Sequence, residues 1–165
     1  MLKLRKLKEN RMTITILKDV LIEAGKLDKY FEGVVPTNLW RAKNRKASGA
    51  VFDFIEENTL LSNGRPRQAD IKIESKNGVK WVSVKQQPRG LSTFDKSGLP
   101  RGKDWEYYRI PKGTELPLGL VIVKDQFNTK FQSTHYTIAP AYDMPLVQFK
   151  NLLGVLALRI IREVA

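Results

Sequence analysis

The segment Thr134-His135-Tyr136-Thr137-Ile138-Ala139-Pro140-Ala141 holds the only histidine of the chain, set among hydroxyls and an aromatic. Gln132, Thr134 and Tyr136 alternate with Ser133, His135 and Thr137, the arrangement of a half-buried strand. Histidine is the side chain whose ordinary titration lies nearest neutral pH, so His135 is a candidate proton carrier, and equally a hydrogen-bonded core group. As a general base in RNA cleavage it would have basic residues to grip phosphate, and the acid role would fall to Lys or Tyr. What flanks the segment decides its weight.

The 165 residues suit one domain with a real core. Lys and Arg number 29 against 17 Asp and Glu, a net charge of +12 that would concentrate a polyanion or an anionic cofactor near the surface. A non-catalytic, basic nucleic-acid-binding module, with affinity falling steeply as salt rises, fits that charge as well. Lys3, Arg5, Lys6, Lys8 and Arg11 crowd the N-terminus, opposed there by Glu9, and read as a solvated basic extension. The absence of cysteine removes disulfides and thiolate metal sites, and one histidine alone makes no zinc site. Cytoplasmic action fits this composition. The longest apolar run, Leu152 to Leu158, falls far short of the roughly 20 residues of a membrane span, and the N-terminus lacks the apolar core of a cleaved signal.

The elements that must hold such a site follow from periodicity. Ile14, Leu17, Val20, Leu21 and Ala24 recur at helical spacing after Thr13, and Gly25 marks a stop, so a helix is predicted near 14–24. Tyr30 to Pro36 reads as a connector, and Asn38 to Ala42 as a short strand. Residues 43–69 are mixed, with Phe52, Ile55 and Leu60 fitting one or two helical turns before a loop at Ser62–Pro66. Ala69–Ile73 and Val79–Val84 flank Lys76-Asn77-Gly78, a hairpin signal. Strands are expected at 92–94, 105–110, 118–123 and 130–138. From Asp143, an expected N-cap with Pro145 in the first turn, the apolar face Leu146, Phe149, Leu152, Leu153, Leu156 and Ile160 predicts a helix near 145–163. The organisation is one unit: a basic extension with a helix (1–37), a β-rich core (38–142) and a C-terminal helix (143–165). No repeat or low-complexity tract interrupts it.

Three segments, in chain order, resemble an ADP-ribosyltransferase core: Leu39-Trp40-Arg41-Ala42, then Gly90-Leu91-Ser92-Thr93-Phe94-Asp95, then Trp105-Glu106-Tyr107-Tyr108-Arg109-Ile110-Pro111-Lys112-Gly113-Thr114. The resemblance implies an α+β fold with a split antiparallel β core between an N-terminal and a C-terminal helix. It also implies NAD as substrate. Arg41 would hold the phosphates or ribose, Ser92 and Thr93 would buttress the nicotinamide pocket, and Glu106 would bind the ribose and stabilise positive charge as nicotinamide departs. Asp104 is the alternative acid, because Glu106 stands one residue off the commoner spacing.

Residues 90–162 resemble, more narrowly, a family of cytotoxic type VI secretion effectors of the same fold. The shared pattern runs through Gly90, Ser92, Phe94-Asp95, Gly98-Leu99, Ile110-Pro111, Gly113-Thr114, Val123-Lys124, Asn128, Lys130, Gln132, Thr134 to Ile138 and Pro140-Ala141, with Leu39, Arg41 and Ala42 upstream. The family's first hydroxyl falls on Leu91 and is lost. What the resemblance implies is an NAD-dependent toxin acting in a target-cell cytoplasm, transferring ADP-ribose to an acceptor that the sequence leaves open, and neutralised by a dedicated immunity protein in the manner of a toxin–antitoxin pair. It places Gln132, His135, Tyr136, Arg41 and Ser92 around the NAD pocket, His135 orienting a ribose hydroxyl or carrying a proton. Trp81, Phe94, Tyr107 and Tyr136 are the aromatics available for stacking or for the core.

Overall fold

A computed structural model describes residues 13–84 and 88–163, which leaves the basic cluster from Lys3 to Arg11 outside the described residues. In chain order the elements are helix α1 (Leu17–Glu23), a 3-10 turn (Leu27–Lys29), and strands β1 (Tyr30–Phe31), β2 (Leu39–Asn44), β3 (Thr59–Leu60) and β4 (Pro66–Arg67). There follow β5 (Lys72–Lys76), β6 (Val79–Ser83), β7 (Leu91–Phe94), β8 (Trp105–Ile110), β9 (Leu120–Asn128), β10 (Ser133–Pro140), β11 (Met144–Pro145), α2 (Leu146–Ala157) and β12 (Ile161–Arg162). Seven of the strands form one antiparallel sheet in the order β1-β9-β10-β7-β2-β8-β12. A second sheet, β11-β6-β5, and the small β3-β4 pair complete an α+β fold.

Side chains alternate across a strand, so the register divides the large sheet into two faces. Leu39 opposite Ile110 and Ile138 opposite Leu91 and Ile122 fall on the face that carries the main core. There Phe149, Leu153 and Leu156 of α2 meet Ile71 and Val82 of the second-sheet region, all buried. Each such side chain contributes about 1.5–3 kcal/mol on burial. The opposite face presents Val121, Val123 and Ala139, which Leu17 and Leu21 of α1 cover.

Local chemistry explains the boundaries. Asn77 and Gly78 both have positive φ, 51° and 77°, as a two-residue hairpin turn demands, and β5 and β6 pair across them. Gly25, at φ 69°, ends α1: its N–H donates to the Ile22 carbonyl and that of Lys26 to the Leu21 carbonyl, the paired bonds of a left-handed helix stop. Gly90 lies so close to β10 that a Cβ would stand 1.9 Å from the Ile138 carbonyl oxygen, so β7 and β10 can approach there only with glycine.

Three expectations are corrected. The stretch 43–69 forms no helical turns: the Asp53 carboxylate accepts from the Ala50 N–H, Asp70 from that of Ile55 and Asn58 from that of Ala69, so side chains supply the partners that a helix would have supplied. The last helix ends at Ala157, because the chain returns as β12 to pair with Arg109 and Tyr108 on the edge of β8. Asp143 does not cap that helix. Its buried carboxylate accepts instead from the N–H groups of Thr15, at 3.0 Å, and Val84, at 2.9 Å, which ties the approach to α1 and the end of β6 to the start of β11.

Replacing Asp143 by Ala leaves two backbone donors without their acceptor, and charge-assisted bonds of this kind are worth about 1.5–3 kcal/mol. Urea unfolding of Asp143→Ala will show a loss in at least that range, and Asp143→Asn, which keeps one acceptor, will lose less.

Candidate active site

The pairing of β9 with β10 slips once. Thr134 faces Phe127 but Tyr136 faces Lys124, so Asp125 and Gln126 together oppose the single residue His135. Such a bulge re-aims a side chain. Here it sets the Asp125 carboxylate against the imidazole, with Oδ2 2.6 Å from His135 Nδ1, while the Thr137 hydroxyl donates to the same oxygen at 2.5 Å. A carboxylate only accepts, so the neutral imidazole carries its proton on Nδ1 and keeps Nε2 as a base. The Phe94 ring meets His135 edge-on, centroids 5.3 Å apart. Asp95 fixes the start of β10 by accepting from the Ser133 hydroxyl and the Thr134 N–H at 2.7 and 2.8 Å.

This pair opens onto a cavity of about 480 Å³, lined by Leu21, Lys26 and Lys29 from the α1 side, by Val123 to Asn128 of β9, and by Pro88, Phe94 and His135. Its size suits a small-molecule ligand. Among the described residues no group of three metal-ligating side chains converges, and no helix is long and apolar enough to cross a membrane.

The site residues expected from the sequence divide between the two faces. Ser92 stands opposite Thr137 and His135 opposite Phe94, so Ser92 and His135 share the cavity face. Thr93 and Tyr136 face the core, where the buried Thr93 hydroxyl donates to the Tyr136 carbonyl at 2.9 Å. Burial and the Asp95 charge push the Tyr136 hydroxyl up. Gln132 builds the β9–β10 turn, at φ 52° with its amide donating to the Thr129 carbonyl at 2.7 Å.

Arg41 and Glu106 lie on the same face of the adjacent strands β2 and β8, Arg41 opposite Tyr108 and Glu106 opposite Lys43, but their side chains take different partners. The Arg41 guanidinium donates to the carbonyls of Val51, Ser92 and Asp53 at 3.0–3.1 Å, stapling the loop after β2 to the sheet. Burial pushes its pKa down, with Asp70 and Asp53 opposing that shift. Glu106 is bound by Arg162 at 3.2 Å and by the Tyr108 hydroxyl at 3.1 Å, and lines a separate hollow of about 840 Å³ with Arg45, Trp105 and Arg162. Burial, then Glu106, pushes the Tyr108 hydroxyl up. Arg41 lines neither cavity. The alternative acid, Asp104, is exposed in the loop before β8. Trp81 lies under the Lys76 ammonium, and the Tyr107 hydroxyl donates to the Pro100 carbonyl.

The reading of the sequence missed Asp125, Thr137 as its anchor, and the lysines of the α1 wall. The one available signal for Asp125 was an acid entering a strand directly after the apolar run Leu120 to Val123.

A mostly antiparallel sheet with two helices and a histidine–carboxylate pair at a cavity of small-molecule size describes a class of small α+β proteins with a candidate chemical site. A family model of the Tse2 ADP-ribosyltransferase toxin matches residues 18–164, and the chain belongs to that family. It is also similar to the toxin Tse2 of Pseudomonas aeruginosa, 44% identical over 55 residues that make up 33% of this chain and 34% of that protein. The chain thus matches about a third of the length of this curated relative.

The two faces differ in what their polar side chains hold. Arg41→Ala will lower the unfolding free energy in urea by about 1.5–3 kcal/mol, since it removes charge-assisted bonds to backbone. Ser92→Ala, at an exposed position, will stay within about 0.5 kcal/mol of the parent.

Proposed function

We propose that this chain is an ADP-ribosyltransferase-type toxin that uses NAD in the cavity beside His135. The observation that carries the reading is the Asp125–His135 pair, aimed by a bulge into a cavity of about 480 Å³, in a chain whose family is one of ADP-ribosyltransferase toxins. The finer fold expectation, a split β core of the transferase kind, belongs to the same reading, and the division between the large sheet and β11-β6-β5 supports it.

NAD supplies an N-glycosidic bond whose cleavage sends the electron pair away with nicotinamide while positive charge builds at C1′ of the ribose. His135 accepts at Nε2 the proton of the nucleophile that joins that carbon, and Asp125 stabilises the imidazolium so formed. Thr137 holds the carboxylate in place. The Asp125 charge also favours positive charge developing nearby, an effect that needs a preorganised group and little water. Ser92 offers a hydroxyl on the same face.

Arg41 acts in this reading as a brace for the sheet, and Glu106 lies outside the reacting cavity. The acceptor is a nucleophile on a protein, a nucleic acid or water. The toxin acts in the cytoplasm of a target cell after type VI delivery and is neutralised by a dedicated immunity protein, as the family resemblance implies.

The test is release of free nicotinamide on incubation with NAD. Wild-type protein will release it, and His135→Ala will reduce the rate by about 10²-fold or more, the scale of a lost general base. Asp125→Asn will reduce kcat and shift its pH profile while leaving the protein folded. Intact NAD together with cleaved RNA would overturn the reading.

A further inference from the structure

Helix α2 is apolar on the side that meets solvent as well as on the side that meets the core. Leu146, Phe149, Leu153 and Leu156 are buried, while Val147, Val155 and the C-cap residue Leu158 are 69%, 39% and 87% exposed. Spacings of eight and three residues keep those three on one outward side. A helix that is hydrophobic all round is normally a covered one. Its twelve residues include no acid and a single cation, Lys150, which is paired with Glu56 at 3.1 Å.

The loop between β8 and β9 widens this face. The Glu115 carbonyl accepts from the Arg159 guanidinium at 2.8 Å, and Gly119 lies so close to α2 that a Cβ there would stand 2.8 Å from Leu152 Cδ1. Leu152 and Arg159 flank Val155 at helical spacing, so the loop runs along the outward side of α2. Between its two contacts the loop presents Leu118, 93% exposed. Val147, Val155, Leu158 and Leu118 line neither the cavity at His135, nor the hollow at Glu106, nor a third of about 340 Å³ between Phe54 and α2. The face offers projections, not a socket for the anchor side chain of another protein.

Charge indicates what covers it. The segment before α1 runs antiparallel to the approach to α2: Ile16 bridges Tyr142, and the Asp143 N–H donates to the Thr15 carbonyl. Carried back, that register brings Thr13 to Pro145, at the start of α2. The sequence that precedes Thr13 carries Lys3, Arg5, Lys6, Lys8 and Arg11 against one acid, Glu9. Cations joined to the apolar face at that end attract an anionic surface. They disfavour a second copy, since each chain has a net charge of +12.

We propose that the outward side of α2, with Leu118, docks on an anionic lipid surface, and that the basic residues preceding Thr13 supply the electrostatic attraction. A bilayer accepts leucines in any arrangement, where a protein must match each with a pocket. A small apolar contact alone gives marginal, reversible membrane binding, and a polybasic stretch beside it makes the binding stable. The face lies apart from the cavity at His135, so the proposal does not rest on the enzymatic reading.

The experiment mixes the protein with vesicles of phosphatidylglycerol and phosphatidylcholine, or of phosphatidylcholine alone, and reads the bound fraction by sedimentation at rising salt. Leu118→Gln/Leu158→Gln and Lys3→Gln/Arg5→Gln/Lys6→Gln/Lys8→Gln are treated alike. Leu118 and Leu158 are at the surface, so the leucine variant will fold, which thermal unfolding checks. Wild-type protein will bind the anionic vesicles about tenfold or more tighter than the neutral ones, and more weakly as salt rises. The leucine variant will bind the anionic vesicles about tenfold or more less tightly, the factor that one inserted leucine is worth. The basic variant will weaken by a similar factor, and what binding it keeps will depend less on salt.

Wild-type protein that ignores both kinds of vesicle, or binds them equally, overturns the proposal. So does a leucine variant that binds as wild type does. Light scattering without lipid gives the remaining outcome: a wild-type dimer that the leucine variant dissolves into monomers assigns the face to a second copy and overturns the lipid surface.

Discussion

One extra residue in β9, opposite His135, sets the geometry of the candidate site. Strands alternate their side chains strictly, and a bulge is the local device that changes which residue faces which neighbour without breaking the sheet. Asp125 and Gln126 share one place in the ladder, and the carboxylate thereby reaches both the imidazole and the Thr137 hydroxyl. The cost is a lost ladder position at a sheet edge, since β1 covers only Ile122 and Val123 of this long strand. The uncovered remainder of β9 becomes one wall of the cavity.

The two faces of the large sheet do different work. The core face spends its polar groups on backbone: the Arg41 guanidinium on three carbonyls and the Thr93 hydroxyl on the Tyr136 carbonyl. Buried polar groups of this sort stabilise only when they are satisfied, and these are. The other face is half covered by a short helix and leaves polar side chains beside a hollow. Adjacent residues thus take opposite roles, Tyr136 in the core and His135 at the cavity, because the period of a strand is two.

Much of this was legible in the chain. Asn77-Gly78 dictated the β5–β6 hairpin, Gly25 the end of α1, and the spacing of Leu146, Phe149, Leu153 and Leu156 the buried face of α2. His135 stood out because no other histidine competes with it. The rest depended on long-range pairing. No residue type announces a bulge, so the contact of Asp125 with His135 was hidden although the two are ten residues apart. Two of the three partners of Arg41, the carbonyls of Val51 and Asp53, lie in an irregular loop, where pattern carries no information. The strand β12 exists only because β8 offers it an edge, and helical spacing persists in its sequence up to that point.

The latch at Asp143 couples distant parts of the molecule. A single carboxylate holds the residues that precede α1, those that follow β6, and its own segment at the start of β11. Local opening in proteins proceeds in cooperative blocks, and contacts shared by several segments define their borders. The wall that carries Lys26 and Lys29 therefore belongs to the same block as the centre of the fold and does not fray as an independent terminus. A ligand that rigidifies the cavity will slow amide exchange in β6 and near Met144, well away from the surface it touches.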